Sequence, residues 1–403
     1  MKVAIIIDAN SNGGGGYYQS LRTLGILKIH GDKNFDFTII VTSKKIKQDL
    51  EKRGFQTLLF NQIRWTNLYS KIISSDILIS IISKLRIKNP FSKFLKKNNI
   101  EFIYFLGPSN LINVTVDFNF AANIYDINHR LDNFFPEYKK KSVIDDREKI
   151  INNCVKKSFK IIVDTNRSKK EMESFYNCSS DKIEVIPFNT FLPSYYESKK
   201  EIFKNEDFNK KFNFLNKKKT FFYPAQFWAH KNHMYILEAA KLLKDKNLDF
   251  KMVFCGSDKG NYKFIKKKIV ELNLEDKIQV FGFLTENEIV YLYLNVAAII
   301  VPTYVARSTL LLYEAFYFKK VIFYSKDVLD PELEKMIVPC DLNNASELSS
   351  YLENFILGKN SVENQNRIEI AKKFYDNSCG EKNISNKINK ILNQYKNMSR
   401  RWL

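Results

Sequence analysis

The feature that most constrains this 403-residue chain is an alternation of short apolar runs and longer amphipathic runs, which occurs twice. In the first half, helical patterns such as Tyr18–Lys28 separate apolar runs of strand length, which are Lys2–Ile7, Phe37–Thr42, Gln56–Leu59, Ile77–Ile81, Phe102–Leu106, Asn123–Tyr125, Lys160–Asp164 and Glu184–Pro187. The rhythm restarts at Thr220–Tyr223 and continues through the apolar runs Lys251–Cys255, Ile278–Phe281, Ala297–Val301 and Val321–Tyr324. A strand followed by a helix, repeated, predicts a parallel sheet with helices on both faces.

The two series predict an α/β protein with two doubly wound, Rossmann-like domains, at residues 1–190 and 220–375. Between them, residues 191–219 are rich in Lys, Asn and Glu and predict a linker. Residues 376–403 predict a C-terminal helix that crosses back toward the first domain. Two such domains facing each other would leave a central cleft, and ligands of open α/β sheets bind at the carboxyl ends of the strands.

The composition excludes several classes of protein. The net charge of +20 comes from lysines spread along the whole chain without a nucleic-acid motif, so no nucleic-acid partner is predicted. Five scattered cysteines without a CxxC pair are typical of free thiols in a reducing compartment. Four histidines and no DxD-type pair predict neither a metal nor another cofactor. No run reaches the ~20 apolar residues of a membrane span, so we expect a cytoplasmic protein.

The first candidate ligand loop is Asn10–Gly16, which follows a strand and precedes a helix. Gly14, Gly15 and Gly16 would let the backbone approach a ligand closely, and a helix N-terminus attracts phosphate. The spacing is not that of a dinucleotide fingerprint, and a flexible turn is the alternative interpretation.

The second candidate loop is Tyr223–His233, between a strand and a helix. Lys231 lies just ahead of the helix, where a cation can meet a diphosphate. The aromatic residues around it would ordinarily belong to a core, and His230 and His233 could be simple caps.

The third candidate loop follows a buried strand within Val301–Ala315. Ser308 and Thr309 are placed to cap a helix that begins near Leu310. Glu314 falls one turn inside this helix, within reach of a ribose if phosphates lie at the cap. A carboxylate on an otherwise apolar helix needs a partner, which favours a functional role.

Taken in order, these stretches resemble glycosyltransferase family 4, whose members are retaining, nucleotide-sugar-dependent enzymes with the GT-B fold. The resemblance is to a subgroup with a PAQFW-x-HKNH block and extends from residue 1 to about 380. The matching stretches are Tyr125–Glu137, Ile161–Lys169, Lys182–Pro187, Tyr223–His233, Val253–Gly256, Val280–Phe283 and Pro302–Ala315.

The resemblance implies a donor site in the second domain. Lys231 would neutralise the donor diphosphate, and Glu314 would match the second carboxylate of the family's E-x7-E motif, on the donor ribose. The chain departs from the family at Gln226, where an Arg is usual, and at Ala306, in place of the first carboxylate. The predicted donor-binding residues are Gly14, Gly15, Gly16, Gln226, Lys231, Arg307, Ser308, Thr309, Leu310 and Glu314.

The resemblance also implies catalytic residues. His129, in the DINHR stretch, would orient the transferred sugar, with Asp126 beside it; a capped or core histidine is the alternative. Lys231, Arg307 and a helix N-terminus would stabilise charge on the departing diphosphate without a metal. In a retaining reaction the leaving phosphate would accept the proton of the acceptor hydroxyl.

The segment Ser83–Asn99 bears on partners because it interleaves Lys and Arg with Leu, Ile and Phe. A basic amphipathic stretch can lie on an anionic membrane, at the inner face of the plasma membrane, and would favour a lipid-linked saccharide acceptor. Pro90 interrupts it, and a solvated surface helix and loop is the alternative.

The sequence therefore predicts a hexosyltransferase-type enzyme that moves a sugar from a nucleotide sugar to a growing glycan, such as a bacterial surface polysaccharide or lipopolysaccharide. Two alternatives remain. A non-catalytic, nucleotide-sugar-binding partner subunit would explain Gln226 and Ala306. A nucleotide-sugar epimerase would need acid and base carboxylates in the cleft, and the sequence offers only Asp126 and Glu314 as candidates for these roles.

Overall fold

The computed structural model describes residues 1–8, 14–72, 89–188, 191–204, 210–305 and 310–401. The chain forms two units, neither of which is continuous in sequence. The first unit contains Met1–Leu131, Tyr138–Phe188 and Glu381–Leu403, and the second contains Asp132–Glu137 and Asn189–Gly380.

The sheet of the first unit has seven parallel strands within the described residues, in the order β3-β2-β1-β4-β5-β6-β7. Its central strands are fully buried apolar runs because helices cover both faces of a parallel sheet. The strands are β1 (Lys2–Ile7), β2 (Asp36–Val41), β3 (Thr57–Leu59), β4 (Phe102–Phe105), β5 (Phe120–Asn123), β6 (Lys160–Val163) and β7 (Ile183–Val185).

The helices of this unit begin at residues that suit helix N-termini. The side chains of Ser43, Asn89 and Thr165 each accept a hydrogen bond from a backbone N–H of the first turn. The described helices are α1 (Gly15–His30), α2 (Lys44–Lys52), α3 (Ile63–Ile72), α4 (Pro90–Lys97), α5 (Asn128–Leu131), α6 (Lys141–Lys157) and α7 (Asn166–Tyr176). The strand predicted at Ile77–Ile81 lies outside the described residues.

The C-terminal helix (Glu381–Ser399) packs on α1, which confirms the predicted return to the first domain. Glu381, at its first position, accepts hydrogen bonds from Arg22 Nη1 at 2.5 Å and from His30 Nε2 at 3.0 Å. Arg22 is buried, so this pairing supplies the carboxylate that a buried guanidinium requires.

The sheet of the second unit has six parallel strands within the described residues, in the order β10-β9-β8-β11-β12-β13. The strands are β8 (Thr220–Pro224), β9 (Lys251–Cys255), β10 (Ile278–Phe281), β11 (Ala298–Val301), β12 (Val321–Ser325) and β13 (Val338–Cys340). The described helices are α8 (Leu192–Ser198), α9 (His233–Asp245), α10 (Tyr262–Glu271), α11 (Glu286–Asn295), α12 (Leu310–Tyr317), α13 (Ala345–Ile356) and α14 (Ser361–Phe374), so the C-terminal helix is α15. Short 3-10 helices lie at Asn110–Val114, Pro136–Tyr138, Ser180–Lys182, Lys200–Lys204, Ala229–Lys231, Lys326–Val328 and Pro331–Met336, and a π-helix at Tyr375–Cys379.

The segment predicted to be a linker, residues 191–219, lies in the second unit. Phe212 is buried and stacks on Tyr291 with ring centroids 5.7 Å apart. Tyr195, on α8, donates a hydrogen bond to Asn287 Oδ1 at 2.7 Å. The described part of this segment therefore contributes to the core of the unit.

In each sheet the strand order reverses at one point. The reversal lies between β1 and β4 in the first unit and between β8 and β11 in the second. Connections on the two sides of such a point run in opposite directions, so a crevice opens at the carboxyl ends of the two strands. The three candidate loops of the sequence follow β1, β8 and β11. None of the helices in the described ranges has the length and hydropathy of a membrane span.

At the first reversal, Tyr125 fills the space between two glycines. Its hydroxyl donates to the carbonyl oxygens of Leu106 at 2.8 Å and Gly16 at 3.3 Å. A Cβ atom at Gly16 would lie 2.8 Å from the ring, and one at Gly107 would lie 2.4 Å from the hydroxyl. Packing against Tyr125 therefore requires glycine at residue 16, whatever ligand the loop binds.

Two glycines of α1 make this requirement testable. We expect Gly16→Ala to destabilise the protein by about 1–3 kcal/mol through overpacking against Tyr125. Gly25→Ala is the matched control, because its added Cβ meets nothing within 4 Å and should stabilise the helix by about 0.5–1 kcal/mol. Urea midpoints measure both; equal effects of the two substitutions would contradict the packing argument.

Candidate functional site

The loop after β8 is held by its backbone. The chain leaves Pro224, forms a short 3-10 helix over Ala229–Lys231, and enters α9 through Asn232, which has the left-handed φ of 53°. Asparagine tolerates this conformation better than most residues. The buried hydroxyl of Tyr223 donates to the carbonyl oxygen of Lys231 at 2.9 Å. The backbone of Lys231 is therefore fixed at the carboxyl end of the sheet.

The loop after β11 is bonded directly to this one. The backbone N–H of Tyr304 donates to the carbonyl oxygen of His230 at 3.0 Å. The hydroxyl of Thr303, which is fully buried, donates to the carbonyl oxygens of Val305 at 2.8 Å and His230 at 3.4 Å. Lys231 and the chain that leads into α12 thus lie in two loops that are hydrogen-bonded to each other at His230. We call this pair of bonded loops the corner. The predicted residues Arg307, Ser308 and Thr309, together with Ala306, lie outside the described residues.

Glu314 has a buried partner. Its Oε2 accepts a hydrogen bond of 2.6 Å from the hydroxyl of Tyr293, and both side chains are buried. Burial and the adjacent carboxylate raise the pKa of Tyr293 well above its usual value, so the hydroxyl keeps its proton and donates. Tyr293 in turn stacks on Phe318 at 4.9 Å. The carboxylate that seemed isolated in sequence therefore also has a structural role.

Gln226 connects the loop after β8 to the loop after β9. Its Nε2 donates to Ser257 Oγ at 3.3 Å, and its Oε1 accepts from Trp228 Nε1 at 3.1 Å. Lys259 lies over the Trp228 ring, with Nζ 5.6 Å from the centroid. A second cation is thus present near the position where the family usually has an arginine.

The two histidines of this loop have different environments. His233 is fully buried, lies 4.6 Å from Phe227 in a stacked arrangement, and has no hydrogen-bond partner for either nitrogen among the described residues. Burial lowers the pKa of His233 to about 3, so it is a neutral core residue. His230 instead pairs through Nδ1 with Glu137 Oε1.

In the first unit, the predicted residues Asp126 and His129 belong to one polar network. Arg147 donates from Nη2 to Asp126 Oδ1 and from Nε to His129 Nδ1 at 3.1 Å. Since arginine only donates, His129 must carry its proton on Nε2, which lies 2.9 Å from Glu148 Oε1. Tyr176 contacts the same nitrogen at 3.3 Å. Contact of Nε2 with a sugar hydroxyl would require one of these partners to be replaced.

The charges of the network are set by burial and by arginine. Burial and Arg147 lower the pKa of His129 below its usual value, which favours the neutral ring. Hydrogen bonds led by that from Arg130 lower the pKa of Glu148 to about 2. The carboxylate of Glu148 is therefore ionised and the imidazole of His129 is neutral near pH 7. His129 is held in one tautomer, in which Nε2–H is the hydrogen-bond donor.

Gly14 and Gly15 lie at the start of α1. Gly14 is the N-cap residue and has an extended backbone, and its carbonyl oxygen accepts hydrogen bonds from Tyr17 and Tyr18. Leu310 begins α12, one turn before Glu314. Within each unit, the described predicted residues therefore lie at the carboxyl ends of the strands or one turn beyond.

Sequence reasoning missed several residues that hold the site. Arg147 and Glu148 lie on α6, and in the sequence they resemble the solvent-exposed charged residues of any amphipathic helix. In the structure, both contact His129. Tyr293 and Glu137 were likewise not predicted. A sequence signal for Arg147 and Glu148 is the polar stretch Asp126–Arg130, because polar side chains that become buried need hydrogen-bond partners.

Residues 204–374 match the family model described as glycosyl transferases group 1. The protein is a glycosyltransferase. The match covers most of the second unit of this glycosyltransferase and includes Gln226, Lys231 and Glu314. None of the curated proteins compared with the chain matches it.

Solved structures resemble the glycosyltransferase over nearly its whole length. A glycosyltransferase from Rickettsia africae has 17% identity and a TM-score of 0.70, and covers 97% of this chain and 97% of its own. HepE from Anabaena, in complex with UDP, has 13% identity and a TM-score of 0.71, and the match covers 98% of this chain and 100% of HepE. WaaG, involved in lipopolysaccharide biosynthesis, has 12% identity and a TM-score of 0.66, and the match covers 96% of this chain and 99% of WaaG. These likenesses establish the GT-B fold.

The buried, neutral His233 predicts acid sensitivity. Its pKa is about 3 in the folded state and about 6.5 when unfolded, so the unfolded chain binds more protons below pH 6.5. Stability is therefore lost as pH falls, by about 2 kcal/mol from this residue between pH 7.5 and 5. We expect the stability of His233→Phe relative to the native protein to rise by that amount over the same interval. Urea unfolding at the two pH values measures it, and a pH-independent difference would refute the assignment.

Proposed function

We propose that the protein is a retaining glycosyltransferase that moves a sugar from a nucleotide sugar to a growing glycan, in bacterial surface polysaccharide synthesis. The observation that carries the proposal is the corner at the β8/β11 reversal, inside the matched family domain, where Lys231 stands beside the approach to α12. The PAQFW-x-HKNH block, from which Lys231 comes, supports assignment to that subgroup of the family.

The donor in this proposal is a UDP-sugar. HepE, which shares the fold, has been solved with UDP and with UDP-glucose. Lys231 would meet the diphosphate, and the second oxygen of Glu314 would meet a ribose hydroxyl while the first keeps Tyr293. Lys259 would supply the positive charge that an arginine at residue 226 would otherwise bring to the diphosphate.

The chemistry follows from charge. Breaking the bond between the sugar and the phosphate leaves negative charge on the diphosphate, which Lys231 and the N-terminus of α12 would stabilise. The acceptor oxygen forms the new bond to the sugar carbon, and its proton passes to a phosphate oxygen of the leaving group. Because the leaving group serves as the base, no protein carboxylate is needed for that step.

The residues of the first unit would serve the sugar and the acceptor. His129 would donate from Nε2 to a hydroxyl of the transferred sugar in exchange for Glu148 or Tyr176. Arg147 fixes the tautomer that allows this donation and also holds Asp126.

A lipid-linked acceptor at an anionic membrane completes the proposal. In α4, Phe91 and Leu95 are buried, so the described part of the basic segment exposes mainly positive charge to solvent. The exposed lysines are Lys93, Lys96 and Lys97. The neighbouring α3 offers apolar contact, because Trp65 is 68% exposed and Leu68 is 49% exposed. Aromatic and basic side chains side by side suit a headgroup interface. Residues 73–88 lie outside the described chain.

The donor site is tested by nucleotide binding. We expect Lys231→Ala to raise the Kd for UDP about 10- to 100-fold, since hydrogen bonds to charged groups contribute about 1.5–3 kcal/mol. Glu314→Ala should weaken binding as well, whereas Tyr293→Phe, which removes only the structural contact, should not. Calorimetry measures all three, with the exposed Lys263→Ala as control. Unchanged affinity in both Lys231→Ala and Glu314→Ala would refute the site.

The membrane surface is tested with vesicles that contain phosphatidylglycerol. We expect Trp65→Ala with Leu68→Ala to reduce binding at least about tenfold, because each buried side chain contributes about 1.5–3 kcal/mol. Replacing Lys93, Lys96 and Lys97 by Gln should reduce it further and remove most of its salt dependence. Val362→Ala, at an 85% exposed position of the second unit, is the control. Equal binding of all variants in flotation assays would contradict this part.

A further inference from the structure

The short segment Asp132–Glu137 belongs to the second unit, although the chain on both sides of it belongs to the first. It follows α5, which carries His129, and precedes Tyr138 and α6, which carries Arg147 and Glu148. Within the second unit, it contacts the loops that follow β8 and β11.

Glu137 makes the polar contact of this segment with the loop after β8. Its side chain is 7% exposed and that of His230 is 10% exposed. The Nδ1–H of His230 donates to Glu137 Oε1, and the backbone N–H of His230 donates to the same oxygen at 3.4 Å. One carboxylate oxygen thus fixes both the ring and the main chain of His230.

Phe135 makes the apolar contact. Its ring lies 6.0 Å from that of His230, nearly perpendicular to it, and 5.8 Å from that of Tyr304. The segment therefore contacts both loops at the place where their backbones are hydrogen-bonded to each other.

His230 is consequently held on three sides. Its ring and N–H are bonded to Glu137, and its carbonyl oxygen is bonded to Thr303 and Tyr304. The next carbonyl oxygen, that of Lys231, is bonded to Tyr223. Because the peptide units on both sides of His230 are fixed, the direction in which Lys231 leaves the backbone depends on the contact with Glu137.

We propose that Glu137 is a positioning residue for the donor site, acting through His230 on Lys231. The inference rests on the proposed function, since it takes Lys231 to be the cation that meets the diphosphate. A buried contact between a carboxylate and an imidazole generally adds little net stability compared with apolar side chains of similar volume. Its contribution here is orientation: a charge displaced by about 1 Å from a diphosphate loses much of its effect.

The test is a double-mutant cycle on the affinity for UDP, measured by calorimetry with the full-length protein. We expect Glu137→Ala to raise the Kd about tenfold in the native background and less than about twofold when Lys231 is already alanine. Glu137→Gln retains an acceptor for the N–H of His230 and should recover part of the affinity. Glu381→Ala is the control for general destabilisation, because it removes another carboxylate that contacts a histidine, His30, together with the buried Arg22, within the first unit.

A spectroscopic reading distinguishes positioning from general destabilisation. Trp228 stacks on His230 with an interplanar angle of 20°, so with Trp65 and Trp402 replaced by Phe its fluorescence reports on that ring. Glu137→Ala should shift this emission, and Glu381→Ala should not.

The outcomes separate the two proposals. Additive effects of Glu137→Ala and Lys231→Ala, or unchanged emission, would overturn the positioning role and leave the donor site intact. Unchanged affinity in Lys231→Ala would overturn this inference, and unchanged affinity in both Lys231→Ala and Glu314→Ala would overturn the donor site as well.

Discussion

The hydrogen bonds from Thr303 and Tyr304 to the carbonyl oxygen of His230 are the interaction on which the candidate site of the second unit depends. They join the loops that follow the two strands flanking the reversal of strand order. A crevice at such a reversal exists for topological reasons, but its walls are loops, which would otherwise vary in conformation. Bonding one loop to the other converts the crevice into a fixed arrangement of a lysine, a helix terminus and buried aromatic rings.

The architecture was predictable because parallel strands buried on both faces produce continuous apolar runs. Lys2–Ile7, Lys251–Cys255 and Ile278–Phe281 occupy the ranges predicted for them. The strand expected at Asn123–Tyr125 is instead Phe120–Asn123, because Tyr125 leaves the ladder to pack between Gly16 and Gly107. The strand Val338–Cys340 was missed, since it is short, lies at the sheet edge and contains Pro339.

The candidate site was predictable in its locations and less so in its contacts. Loops that follow apolar strands mark the carboxyl edge of a sheet, which is why Lys231 and Glu314 could be named. Their partners come from distant parts of the chain: Tyr293 for Glu314, Glu137 for His230, and Arg147 for both Asp126 and His129. No local pattern encodes such pairs. For the same reason, sequence alone could not separate His233, a neutral core residue, from a histidine that binds a ligand.

The interleaving of the two units has a consequence for recombination. The first unit needs α15 from the far end of the gene, and the second needs Asp132–Glu137 from within the first. A single crossover at the apparent boundary near residue 189 would therefore leave His230 facing a foreign segment and Arg22 facing a foreign helix. Exchange of donor specificity between relatives of this fold would tend to proceed through substitutions inside loops, or through exchanges that carry these two short segments along.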